Sequence, residues 1–235
     1  MGAMDLLLKG YYKLPFRPFR NTLAKLYRWK IRNEKGEVIA KTHGFKIHLD
    51  LNDITNNHIY HGIYKTTIVD MIKRELREGD IALDIGSHTG YFALIFASIV
   101  GNNGKVYAFE PTKQAFNVIK KNVALNNFKN VIIENIGLSD KNEETNIDMQ
   151  FKYDKECIDE GKTKNEKHLL ITLDNYVKKN KIPKIKLIKI DTNCFDLRIL
   201  MGATETIKKF RPIVIVKTSY EEEHHGKERM KYYKK

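Results

Sequence analysis

"IALDIGSHTGYFALIFA", Ile81 to Ala97, is the stretch on which the fold turns. Its first five residues are apolar enough to be buried on both faces of a sheet. Gly86-Ser87-His88-Thr89-Gly90 then forms a turn, and an apolar helix follows. A near-continuous apolar strand leading through a glycine turn into a helix is the opening unit of a parallel α/β sheet. Glycines in such a turn let the backbone approach a ligand closely, and the helix start offers unpaired N–H groups. The G-x-x-x-G spacing lacks the G-x-G-x-x-G pattern of a dinucleotide site.

Downstream, the pattern repeats. Strands are predicted at "KVYAFEP", "NVIIENIGLS", "IKLIKIDT" and "PIVIVKT", with helices over Lys113–Asn126, Leu173–Lys179 and Phe195–Phe210. The first helix of the series is placed at Tyr91–Val100. Glu110 closes the strand "VYAFEP", 20 residues after Gly90. An acid at that offset is placed to hydrogen-bond ribose hydroxyls. A glycine turn with a strand-end acid is shared by nicotinamide enzymes and S-adenosylmethionine methyltransferases, and the G-x-x-x-G spacing favours the latter. "NIGLSD" puts Ser139 and Asp140 where an adenine edge would lie on this topology. Each feature also has a plain structural reading: Gly86 as a turn former, Glu110 as a cap for the helix at Lys113, Ser139-Asp140 as a loop.

Upstream, "TTIVDMIKRELREGD" has Ile68, Met71, Ile72 and Leu76 at helical spacing, and "GEVIAKTHGFKIHLDLND" alternates around a Gly turn as a hairpin. Residues 1–52 are taken as an N-terminal extension and 53–235 as the ligand-binding domain. The extension is basic and aromatic, with Tyr11, Tyr12, Phe16, Phe19, Tyr27 and Trp29 interleaved with Lys and Arg. It reads as a helix packed over the domain or as an anion- or membrane-surface arm. Lys141–Lys167 is charged and weakly patterned, and is expected to be an insertion, a lid or a mobile segment.

The 235 residues carry 42 Lys+Arg against 29 Asp+Glu, a net +13 that suits anionic partners or reflects a chain-wide lysine bias. Two cysteines, Cys157 and Cys194, build no disulfide framework and point to a reducing, cytoplasmic setting. No apolar run reaches the ~18 residues of a membrane span. The start is too short in its apolar patch for a signal peptide.

"GDIALDIGSHTGYFAL", "GKVYAFEPTKQAFNVIKKNVALNN", "NIGLSD", "ITLDNYV" and "IKLIKIDTNCFDLRILMGA" resemble, in order, the FkbM family of class I S-adenosylmethionine-dependent methyltransferases. The resemblance runs from about Asp53 to Val216 and includes pieces beyond the general cofactor motifs, "TLDNY" and "LMGA". It implies a Rossmann-like methyltransferase fold, a mostly parallel sheet with helices on both faces. It also implies S-adenosylmethionine as cofactor, no metal, and O-methylation of a hydroxyl on a sugar, glycan or small metabolite. By position, Asp84, Gly86 and Gly90, with Ser87 and His88 in the same turn, would line the methionine end, Glu110 the ribose, and Ser139-Asp140 the adenine. After the last predicted strand only "SYEEEHHGKERMKYYKK" remains, so the family's final strand hairpin is expected to be absent.

Three positions depart from the family, each losing a carboxylate. Lys65 stands in "GIYK" where Gly-x-Tyr-Glu is usual, Asn193 in "DTNC" where Asp-Val-Glu-Gly is usual, and Lys217 where a Glu is usual. Relaxed selection on a lost activity or a changed acceptor would explain three such changes together, and all three are expected to line one cleft. An alcohol must lose its proton to become methylated. Asp191 is the candidate base or contact for the cofactor's ammonium group. His58, His61 and His88 are either assistants or loop residues. Two rival readings stay open: a catalytically impaired methyltransferase fold that only binds, and an RNA methyltransferase. Against the second, the strand-four motif lacks the Asn/Asp-Pro-Pro-aromatic run that grips an exocyclic amine.

Overall fold

A computed structural model describes residues 33–146, 167–192 and 195–217. The aromatic arm, Cys157, Asn193, Cys194 and the C-terminal tail lie outside the described residues, as does most of the Lys141–Lys167 segment. The chain forms two compact units, residues 1–135 and 136–235.

In the first unit, β1 (Glu37–Thr42) and β2 (Phe45–Asp50) make the antiparallel hairpin, with Thr42 opposite Phe45. Helices α1 (Ile54–Tyr60) and α2 (Thr66–Glu75) follow. Strand β3 (Ile81–Ile85) is buried at every position, as its apolar run requires. It feeds α3 (Tyr91–Val100), β4 (Lys105–Phe109), α4 (Lys113–Leu125) and β5 (Val131–Glu134). The three strands are parallel in the order β3-β4-β5, in the register Ala82–Val106–Val131. A parallel neighbour requires a crossover, and α3 and α4 supply the two.

The second unit holds β6 (Gly137–Leu138), β7 (Glu143–Asn146) and β8 (Lys167–Ile171), a three-stranded sheet of order β6-β8-β7. Next come α5 (Leu173–Lys179), β9 (Leu187–Ile190), α6 (Asp196–Met201), α7 (Thr204–Phe210) and β10 (Ile213–Val216). Strands β9 and β10 pair in parallel, Leu187 against Ile213. Together β3, β4, β5, β9 and β10 supply the five parallel strands of a Rossmann-like α/β sheet.

Two elements differ from their sequence reading. The strand expected across "NVIIENIGLS" ends at Glu134 and restarts at Gly137 in a different sheet. Between them, the Asn135 side-chain amide donates to the carbonyls of Glu110 and Pro111 (2.9 and 2.8 Å), turning the chain away from β5. The helix expected over Phe195–Phe210 breaks into α6 and α7 at Gly202-Ala203. Its second half is started afresh by Asp174, whose carboxylate accepts from the N–H groups of Glu205 and Thr206 (3.0 and 2.7 Å).

Candidate functional site

In the first unit the glycine turn is fastened to the end of the neighbouring strand. The N–H groups of Gly86 and Ser87 both donate to the Phe109 carbonyl, at 3.0 and 3.1 Å. Gly86, His88 and Gly90 have φ of 76°, 51° and 82°, so the turn passes three times through the left-handed region. That is cheap for glycine and uncommon for histidine. Gly90 is also tightly packed, since a Cβ there would sit 3.2 Å from Ile119 of α4.

Two acids hold this turn. Asp84, fully buried, accepts from the Ala93 N–H at 3.1 Å and so serves the first turn of α3, whose cap Gly90 has no side chain. Glu110, also buried, accepts from the His88 N–H through Oε2 (3.0 Å). Its Oε1 accepts from the Thr112 N–H and hydroxyl, at 3.1 and 2.7 Å. Glu110 thus holds Thr112, the N-cap residue of α4, but accepts from none of the described N–H groups of that helix's first turn, whose N-cap makes no side-chain cap bond. Ser87 Oγ closes the turn on the Asp84 carbonyl (2.8 Å).

Sequence reasoning passed over Asn122 on α4. It is fully buried, donates to the carbonyls of Thr89 (2.9 Å) and His48 (3.2 Å), and accepts from the His48 N–H (2.7 Å). One amide thus ties the β2 hairpin strand to the glycine turn. The only hint was a polar residue on the apolar face of α4.

Of the histidines, His88 Nε2 lies 3.9 Å from the Asp53 carboxylate. His61 meets Glu34 at 2.5 Å. Burial, with His61 beside it, pushes His58 below the usual imidazole range. Lys65 is the left-handed N-cap of α2, its ammonium 5.3 Å from the centre of the Tyr64 ring. Burial also raises the Tyr91 phenol to about 12, and its hydroxyl meets His43 Nε2 at 2.9 Å.

In the second unit, Ser139 is buried and its N–H donates to the Ile171 carbonyl (2.9 Å). Its hydroxyl donates to Asp140 Oδ1 (2.9 Å), which also takes Arg198 Nε (2.8 Å). Burial pushes the Asp140 carboxyl up, but the Ser139 and Arg198 hydrogen bonds and the Arg198 charge outweigh it and hold it below the usual range. The two family-specific pieces interlock here. The Asp174 N–H of "TLDNY" donates to the Gly202 carbonyl of "LMGA" (3.0 Å), while Gly202 lies so close to Ser139 that a Cβ would be 2.0 Å from its carbonyl oxygen.

At the carboxyl ends of β9 and β10, Asp191 lies between two ammonium groups. Lys189 is 3.8 Å from Oδ2 and Lys217 is 3.6 Å from Oδ1. Asp196 accepts from the Thr192 N–H and hydroxyl (2.9 and 2.8 Å), fixing the chain just after Asp191. Of the three departures expected to share a cleft, Lys217 belongs to the second unit and Lys65 to the first. Among the described residues no group of three His, Cys, Asp or Glu could hold a metal, and no helix is long and apolar enough to cross a membrane.

A family model described as the methyltransferase FkbM domain matches residues 84–232. The chain is 36% identical over 59 residues to protein-L-isoaspartate O-methyltransferase 1 of Archaeoglobus fulgidus, a span of 25% of this chain and 27% of that protein. It is 37% identical over 59 residues to the protein-L-isoaspartate O-methyltransferase of Methanosarcina mazei, 25% of this chain and 24% of the relative. The chain thus spans about a quarter of the length of these curated relatives. Among solved structures it resembles methyltransferase FkbM from Methylobacillus flagellatus KT, with TM-score 0.43 and 12% identity over 69% of this chain and 43% of that one.

Proposed function

This chain belongs to the FkbM methyltransferase family, and from that premise we propose that it transfers the methyl group of S-adenosylmethionine to a hydroxyl oxygen of a sugar, glycan or small metabolite. The observation that carries the cofactor half is the glycine turn, fastened to Phe109 and held by Glu110, a buried acid at a strand end. The turn suits such a ligand. Its two glycines present bare backbone, and Glu110 Oε2, with one lone pair taken by the His88 N–H, keeps the other for a ribose hydroxyl.

By motif position, Asp84, Gly86, Ser87, His88 and Gly90 serve the methionine end, Glu110 the ribose, and Ser139 and Asp140 the adenine. The cofactor, when bound, supplies a methyl made electrophilic by its sulfonium. The protein's part is to place the acceptor oxygen in line with that methyl and to take the hydroxyl proton. The Asp191 carboxylate would take that hydroxyl proton. Lys189 and Lys217 steady that group in position. Where the family has acids, Lys65, Asn193 and Lys217 tune acceptor choice.

Calorimetry with S-adenosylmethionine and S-adenosylhomocysteine tests the cofactor half, and the absence of binding at millimolar ligand defeats it. Methyl transfer to a panel of hydroxylated sugars and metabolites, run beside structured RNA, tests the acceptor half. Transfer to RNA alone moves the chain to the RNA class. Tight cofactor binding with no transfer to any acceptor makes it a binding protein.

A further inference from the structure

The second unit carries a cationic edge that the methyl-transfer reading does not use. Between Asn175 and Lys186 the sequence holds Lys178, Lys179, Lys181, Lys184 and Lys186 and not one carboxylate. The segment Ile207–Pro212 adds Lys208, Lys209 and Arg211, again without an acid. All of these except the half-buried Lys186 are exposed.

The fold gathers the two segments at one edge. Asp174, in the first turn of α5, caps the start of α7, and α5 packs against α7. Both helices are seven residues long and set off from that shared cap, so their lysine-bearing last turns finish together. Each then leads into one of two paired parallel strands, and the Ile213 N–H donates to the Lys186 carbonyl (3.0 Å), joining the connections themselves. Ile182 and Ile185 are buried and anchor the first connection, leaving Lys181 and Lys184 turned outward on either side of Pro183.

Helix C-termini attract cations, which accounts for Lys178, Lys179, Lys208 and Lys209. It does not account for Lys181, Lys184 or Arg211 beyond the helix ends. Among the described residues the one ion pair at this edge is Lys208 with Glu205 (3.5 Å).

We propose that this edge docks on an anionic membrane surface. Three observations favour lipid headgroups over nucleic acid. The cations are lysines with a single arginine, point charges rather than the bidentate forks suited to nucleic-acid phosphates. The aromatic residues of the two segments offer no open stacking face, since Tyr176 is buried and the Phe210 ring lies under the Lys209 ammonium (4.8 Å). The helices present carbonyl ends here, not the N–H groups that grip a phosphate closely. What remains is diffuse attraction by long side chains, the mode by which polybasic segments hold an anionic leaflet. The contact leaves the opposite, carboxyl ends of β9 and β10, with Asp191, turned away from the lipid.

The test is vesicle flotation with the full chain, using phosphatidylcholine alone and phosphatidylcholine mixed with phosphatidylserine. We compare wild type with Lys181→Glu/Lys184→Glu and with Lys121→Glu/Lys129→Glu, an equal charge change at exposed sites on the first unit. Wild type is expected to float with phosphatidylserine vesicles only. The first variant should lose about fivefold for each lysine removed, and the control variant should stay near wild type. Matching thermal melts confirm that the variants fold. Absence of phosphatidylserine-dependent flotation, or equal loss in both variants, overturns the proposal. So does binding to duplex RNA that needs Lys181 and Lys184 while vesicles are ignored.

Discussion

Replacing Gly202 with alanine isolates the contact that joins the family's two distinctive motifs. Its φ of −78° is ordinary, so alanine meets no backbone strain, and near a helix alanine is intrinsically better than glycine by about 0.5–1 kcal/mol. The obstacle is steric. The new Cβ would lie 2.0 Å from the Ser139 carbonyl oxygen, 3.0 Å from its carbon and 3.2 Å from the Asp140 Cα. All three are backbone atoms, so no rotamer change relieves them. Neither side is free to retreat: Ser139 N–H is bonded to Ile171, and Gly202 is bonded to Arg198 and Asp174. Overpacking of this kind costs about 1–3 kcal/mol, and a backbone-on-backbone clash belongs at the top of that range. Set against the propensity gain, the net loss is about 2 kcal/mol. For a chain of this size that lowers Tm by about 4–8 °C. Urea unfolding and thermal melts measure it, and calorimetry asks whether displacing Ser139-Asp140 weakens S-adenosylmethionine binding. Gly79→Ala is the control, because Gly79 has φ +82° and nothing within 4 Å of its Cβ, so its cost of about 1 kcal/mol is purely conformational and should leave the ligand affinity alone. A Gly202→Ala protein as stable as wild type would refute the close-packing argument. One that is destabilised but binds the ligand normally would refute the placement of Ser139-Asp140 at the adenine.

Asn122→Ala removes the partner of the His48 N–H and of the His48 and Thr89 carbonyls, and should destabilise the chain by about 3 kcal/mol in urea unfolding. Glu110→Gln keeps the shape but offers an NH2 to donors on one side, so either the His88 or the Thr112 contacts fail. Calorimetry should show S-adenosylmethionine affinity down about tenfold or more. Asp140 has its carboxyl held below the usual range in the folded chain, so its contribution is full above the unfolded value of about 4 and fades as pH falls through the folded one. The stability gap between wild type and Asp140→Asn should accordingly be constant near neutrality and close in acid.

The regular parts of the fold were readable because their signals are local. Tyr91–Val100 and Leu173–Lys179 begin and end where the sequence placed them, between a glycine turn and Gly101 in one case and from Thr172 to Asn180 in the other. What escaped depends on partners far along the chain. Apolar spacing continues smoothly from Ile199 to Phe210, and nothing nearby announces that Asp174 will start a second helix within it. The turn at Asn135 depends on carbonyls 24 and 25 residues earlier. Helix α1, "ITNNHIY", has too few apolar residues to show a period, and only its Asp53 cap, bonded to the Asn56 N–H (2.8 Å), marks it.

The acids singled out in the sequence share one property: each is occupied by its own neighbourhood. Asp84 serves the start of α3, Glu110 serves His88 and Thr112, Asp140 serves Ser139 and Arg198, and Asp191 stands between two lysines. Such acids are oriented before any ligand arrives, which is what a binding site needs if ordering is not to consume its affinity. The same ties explain why a carboxylate motif cannot by itself separate a structural role from a functional one. At Lys217 the distinction sharpens. Its N–H donates to the Ile190 carbonyl (3.0 Å), so the backbone continues the β9–β10 ladder. A glutamate there would set like charges side by side, whereas the lysine sets an ammonium 3.6 Å from Asp191, a local swing of two charges. On the proposed function, that swing falls on the carboxylate assigned to take the acceptor's proton.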